Sequence, residues 1–110
     1  MKPSAYQRHK YSADLYKYVI KKTGSEEVVE YYFAETIPLT AGIDQNQRLN
    51  ITTDEPMAIG FLLANIKDRQ STPILGDMVW QISTSTPLLN AFGNVESYKS
   101  RAIKFQGEIQ

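Results

Sequence analysis

At 110 residues, with 42% hydrophobic and 22% charged residues, the chain has the composition of one globular domain and no room for a second core. It has no cysteine, which removes a disulfide framework, a thiolate metal site and a cysteine nucleophile together. Twelve basic and twelve acidic residues give zero net charge, whereas a dedicated nucleic-acid binder usually carries a basic surplus.

Residues 1–10 are polar with an early proline and read as a flexible arm, leaving 11–110 as a single domain. Over 11–20 the pattern turns β-like: Leu15, Lys17 and Val19 alternate with Tyr16, Tyr18 and Ile20. Thr23-Gly24-Ser25 supplies turn chemistry. A second strand follows over 27–39, with Val29, Tyr31, Phe33, Glu35 and Ile37 on one face and Val28, Glu30, Tyr32, Ala34 and Thr36 on the other. The two runs predict a hairpin.

A polar loop over 40–46 precedes a short strand at 48–53, with Leu49, Ile51 and Thr53 on one face. The segment 57–66 reads two ways. Thr53-Asp54-Glu55-Pro56 resembles a capped helix start with an early proline. Gly60 in mid-run and a continuous apolar block suit a buried strand instead, and that is the reading we favour. After a charged loop at 67–73, residues 78–84 alternate as a strand around Trp80, 85–97 form a long connection, and 98–105 close the chain as a strand. The expected fold is all-β: about six strands in a small barrel or sandwich, with at most one short helix.

No chemistry is legible. His9 lies in the arm between Arg8 and Lys10, with no acid nearer in sequence than Asp14, and reads as a solvated residue. One histidine and no cysteine put the usual transition-metal sites out of reach. The acid pairs Glu26-Glu27 and Asp54-Glu55 fall at strand ends, where solvated carboxylates are ordinary, and no glycine pattern cradles a phosphate. We therefore expect no enzyme, no cofactor and no small-molecule substrate.

Two features point to contact with other macromolecules. The connection Pro87-Leu88-Leu89-Asn90-Ala91-Phe92-Gly93-Asn94 either folds back as a plug under its own sheet or exposes Leu88, Leu89 and Phe92 to a partner. The segment Tyr6, Arg8, Lys10, Tyr11, Tyr16, Lys17, Tyr18, Lys21, Lys22 interleaves aromatic and basic residues. It suits a first strand with amphipathic tyrosines, subunit contact, or stacking on single-stranded nucleic acid. Charge is segregated: residues 1–22 hold six bases against Asp14 alone, a balance of +5, and the remainder balances at −5. Copies packed side by side would be complementary. No stretch approaches the roughly 18 apolar residues of a membrane span, and no apolar block follows the first bases as in a secretory signal. The expected setting is a cytoplasm, or a particle assembled there.

The order of features resembles the head-closure proteins of tailed bacteriophages, also called stopper, head-completion or head–tail joining proteins. The matching parts are the first strand Tyr11-Ser12-Ala13-Asp14-Leu15-Tyr16, a glycine turn and a long second strand. An apolar run over 59–66, the step Gly76-Asp77-Met78-Val79 and the loop-and-strand ending over 85–105 follow. The resemblance implies a structural virion protein, a six- or twelve-fold homo-oligomeric ring in the neck between the DNA-filled head and the tail. It implies portal or adaptor and tail proteins as neighbours, and at most passive contact with genomic DNA. A single-stranded nucleic-acid-binding barrel and a tail-terminator or adaptor-type interaction domain are the alternatives. The residues expected to meet partners are Leu88, Leu89, Phe92, Arg8, Lys10, Lys17, Lys21 and Lys22.

Overall fold

Alternating side chains and turn residues divide the chain into six strands: β1 (Tyr11–Thr23), β2 (Glu26–Ile43), β3 (Leu49–Thr53), β4 (Leu62–Asp68), β5 (Trp80–Leu89) and β6 (Val95–Lys104). The computed structural model describes residues 9–76 and 78–107. Arg8, the rest of the arm before it and the aspartate of the Gly76-Asp77 step lie outside the described residues. The chain is all-β and a single domain, with no helix among the described residues.

The strands pair antiparallel in the order β1-β2-β3-β6-β5-β4, and β4 returns to β1, so the sheet closes on itself. Closure removes most free edges, which two separate sheets would leave. The β4–β5 seam is short, with only Leu62↔Gln81 and Leu63↔Trp80 in register. It is extended by Gly60 N–H donating to the Ile82 carbonyl and Ile82 N–H donating to that of Phe61, each at 2.8 Å.

Inside the closed sheet sit Leu15, Leu39, Leu49, Ile51, Leu63, Ile66, Trp80 and Ile82, all 2% exposed or less. Period two places them there: Leu49, Ile51 and Thr53 are buried along β3 while Asn50 and Thr52 are not. Met57 plugs one end, at the start of the 57–66 segment. That segment is a strand only from Leu62; before it, a turn carries Gly60 at φ 97°. A Cβ at Gly60 would lie 3.0 Å from a ring carbon of Tyr18. Its conformation and its neighbour both require glycine there.

Besides β2 running on to Ile43 into the loop expected over 40–46, two sequence expectations about the strands need correction. The first is the alternation along β2. The register shifts between Leu15 and Tyr16, so that Leu15 faces Glu35 but Tyr16 faces Phe33, leaving Ala34 as an extra residue. A bulge of this kind flips the phase of every residue beyond it. Phe33 therefore leaves the face of buried Ile37 and is 54% exposed. The second is the connection over 85–97. It is neither a long loop nor a plug, because β5 runs on to Leu89 and β6 already begins at Val95. Asn90 ties the short turn, its Oδ1 accepting from the N–H groups of Phe92 (2.8 Å) and Asn94 (3.1 Å). A local side-chain acceptor of this kind replaces ladder bonds and lets two strands meet.

Candidate interaction surface

Both hairpins outrun the closed sheet, the first from a bulge and the second only at its tip. Above Tyr16, β1 has no register with β4, and β2 meets β3 only from Thr40 onward. The pairs from Lys17↔Tyr32 to Thr23↔Glu26 thus form a two-stranded ribbon. On the other hairpin β5 has no β4 partner after Gln81, but β6 stays paired with β3 as far as Tyr98, so only Leu88↔Ser97 and Leu89↔Val95 stand as a two-stranded tip. A bulge bends and twists its strand, and beyond Tyr16 the β1–β2 pairs run on without a third strand. Because adjacent strands alternate in direction round the sheet, β1 and β5 run the same way and the β1–β2 and β5–β6 turns lie at the same end of the closed sheet.

Neither ribbon has the one-sided pattern of a half-buried strand. On the β1–β2 ribbon Val19 and Ile20 are adjacent and exposed, as are Val28 and Val29, so apolar groups stand on both faces. Its base leans on the body through edge-to-face aromatic contacts. Tyr16 meets Phe33, Tyr18 meets both Tyr31 and Phe61, and Tyr31 meets Phe105, with ring centroids 5.6–6.1 Å apart. Tyr18 also donates its hydroxyl to the Ile59 carbonyl at 3.2 Å, beside Gly60. At the β5–β6 tip Phe92 is 88% exposed and Leu89 61%, with Leu88 and Val95 also exposed. Leu88, Leu89 and Phe92, expected from the sequence to meet a partner, are all exposed at or near this tip.

The basic residues are not gathered into one patch. Lys21 Nζ lies 2.8 Å from Glu30 and Lys22 Nζ 3.9 Å from Glu27, across the ribbon. Lys17 Nζ sits 5.7 Å from the centre of the Phe61 ring. Lys10, beyond the other end of β1, borders a hollow of about 420 Å³ with Tyr11, Asp68 and Arg69. Part of the charge segregation seen in sequence is therefore met within the hairpin itself. Of the tyrosines of the same segment, Tyr16 and Tyr18 are engaged in T-shaped contacts with Phe33, Tyr31 and Phe61.

His9 corrects the sequence reading of a solvated arm residue, since it is 7% exposed. Its Nε2 lies 3.2 Å from Asp54 Oδ1 and its Nδ1 2.8 Å from Thr40 Oγ1. A neutral ring satisfies both, donating from Nε2 to the carboxylate and accepting the threonine hydroxyl at Nδ1. The order hydroxyl–imidazole–carboxylate matches the hydrolytic triads. The hollows beside Lys10 and beside Asp54 are lined by neither His9 nor Thr40. The cluster pins the start of the domain to β2 and to the end of β3. Sequence spacing hid it, because its other two members lie 31 and 45 positions from His9. Among the described residues no group of three or more histidine, aspartate or glutamate side chains is placed to hold a metal ion.

Two further surfaces were not singled out in the sequence. A notch of about 250 Å³ opens where β2 parts from β3, with Ile37, Pro38 and Met57 in its lining and Glu35, Asp54 and Glu55 beside them. A hollow of about 370 Å³ lies on the outer face of β3, β6 and β5, lined by Asn50, Thr84, Thr86, Leu88, Lys99 and Arg101. Arg101 is steadied there by Asn50, whose Oδ1 accepts from its Nε at 3.4 Å. No protein-family model, no curated protein and no solved structure matches the chain.

Proposed function

We propose that this protein is a structural assembly subunit that joins other copies of itself and neighbouring proteins through its two hairpins. The assembly that best fits is the neck ring of a tailed bacteriophage, where the chain would close the head or join it to the tail as part of the virion. In this reading it is not an enzyme and takes no cofactor. The observation that carries the reading is that both hairpins run past the closed sheet, β1–β2 as a long ribbon and β5–β6 as a short tip, and expose apolar side chains there. An isolated two-stranded ribbon is marginal in water, and exposed apolar patches mark contact surfaces. Such ribbons gain most when a neighbour covers them. The layout resemblance to head-closure proteins supplies the particular assembly, and nothing in the fold departs from a ring made by heterologous contacts.

The test is the mass and shape of the purified protein at high concentration, by native mass spectrometry and electron microscopy. Closed rings of six or twelve copies are expected. Replacing Leu88, Leu89 and Phe92 with serine should leave the circular dichroism unchanged and abolish the rings. A chain that stays monomeric and instead binds an oligonucleotide at low salt, with affinity falling steeply as salt rises, would replace this reading with the single-stranded nucleic-acid one.

A further inference from the structure

From the pairing of two unlike surfaces on one chain, we infer that the outer face of the β5–β6 hairpin of one copy seats in the β2–β3 notch of the next. The inference rests on the assembly reading and specifies its contact. The register puts Thr84 opposite Arg101, Thr86 opposite Lys99 and Leu88 opposite Ser97, so cations, hydroxyls and a leucine share one face of the hairpin. Leu88 is 39% exposed and Lys99 is exposed beside it. The notch carries the complement. Glu35 and Glu55 are exposed at its rim, Asp54 is turned to His9, and Ile37, Pro38 and Met57 provide an apolar lining.

Each part finds a counterpart. Leu88 enters a notch large enough for an aliphatic side chain, while Glu35 and Glu55 face the Lys99–Arg101 hollow with its two threonine hydroxyls. The match is between different surfaces, so it repeats head to tail and closes when the rotation permits. It also covers the stretch of β2 above Thr40 that has lost β3 as a neighbour, where an open edge would otherwise invite irregular pairing. Lys21 and Lys22 lie on the other hairpin, opposite Glu30 and Glu27.

The absence of native cysteine gives a clean test. Chains carrying Thr86→Cys and Glu55→Cys singly, with different tags, are mixed and oxidised. The mixed disulfide, joining position 86 of one chain to position 55 of the other, is expected in clear excess over either homodimer. Lys99→Glu in the Thr86→Cys chain should reduce that product about tenfold, and Glu35→Lys in the Glu55→Cys chain should restore it, as expected for a close charge pair. The cross-link should weaken with salt in the parent pair. Circular dichroism of every variant verifies folding, and Lys99→Ala serves as the milder change if Lys99→Glu perturbs it. Equal yields of mixed and homodimeric products, no product, or indifference to Lys99→Glu overturn the contact. Rings that persist in the Lys99→Glu chain overturn this contact but leave the assembly reading standing. A charge-dependent cross-link in a chain that never forms rings does the reverse.

Discussion

His9 is held on both ring nitrogens, and its replacement by alanine leaves Asp54 and Thr40 without that partner. The expected cost is about 1–3 kcal/mol, the usual range for deserting buried hydrogen-bonding groups, read as a lower midpoint in urea. An unchanged midpoint would mean that the imidazole contributes nothing to anchoring the start of the domain. Gly60 is the second residue whose identity is fixed locally. Alanine there must adopt φ 97° and push on the Tyr18 ring, and the expected loss is on the order of 1–3 kcal/mol. The sequence showed this glycine as an interruption in an apolar run, but not that a tyrosine from β1 lies over it. That contact joins residues 42 positions apart and leaves no local trace.

Among the elements, the β2–β3 connection is held by one carboxylate. Asp44 Oδ1 accepts from the N–H groups of Asn46 and Arg48, and Oδ2 from the Asn50 amide, at 2.8–3.1 Å. The backbone N–H of Arg48 is the main reason its carboxyl is held below the ordinary value of 3.8. A lowered folded pKa means that this contribution is fully present above about pH 4, the unfolded value, and is lost as pH falls through the lower folded one. The protection factor of the Arg48 amide, its exchange relative to an unstructured peptide at the same pH, should therefore stay high at neutral pH and fall under strong acid. In Asp44→Ala the protection should be gone at every pH, and persistent protection there would contradict the assignment. The hairpins show what alternation can and cannot reveal. It disclosed β1, β2 and β3 because each has a run of period two, whereas the extension of β5 and β6 towards each other lay under Pro87 and Asn90, residues that read as loop. The bulges were illegible for a different reason: an extra residue such as Ala34 is defined only by what stands opposite it.

In the molecule as a whole, the ribbons lengthen the protein. The Cα radius of gyration is 15.0 Å with extents of 52 × 34 × 28 Å, against about 13 Å for a compact chain of roughly this length. Small-angle scattering of the monomeric Leu88→Ser/Leu89→Ser/Phe92→Ser variant should give the elongated profile, and a compact one would mean that the ribbons fold back in solution. Trp80, the single tryptophan, is 1% exposed at the short β4–β5 seam. Its emission should be blue-shifted in the folded state and move red in one step on unfolding. Trp80→Ala should cost about 3–5 kcal/mol and open the seam, and a milder loss would show that closure there is dispensable.

Composition and period two act over a few neighbouring residues, and they were enough to establish one all-β domain, the alternating strands and the lack of thiol chemistry. The apolar cluster at Leu88, Leu89 and Phe92 was equally plain in the chain. Folding in three dimensions settled the rest: that the sheet closes, that His9 is buried against Asp54, that the apolar cluster tips a hairpin, and that Lys21 and Lys22 are answered by Glu30 and Glu27. Each of these depends on register between residues brought together from different parts of the chain, and a shift of one residue, as at Ala34, reverses which face a side chain occupies.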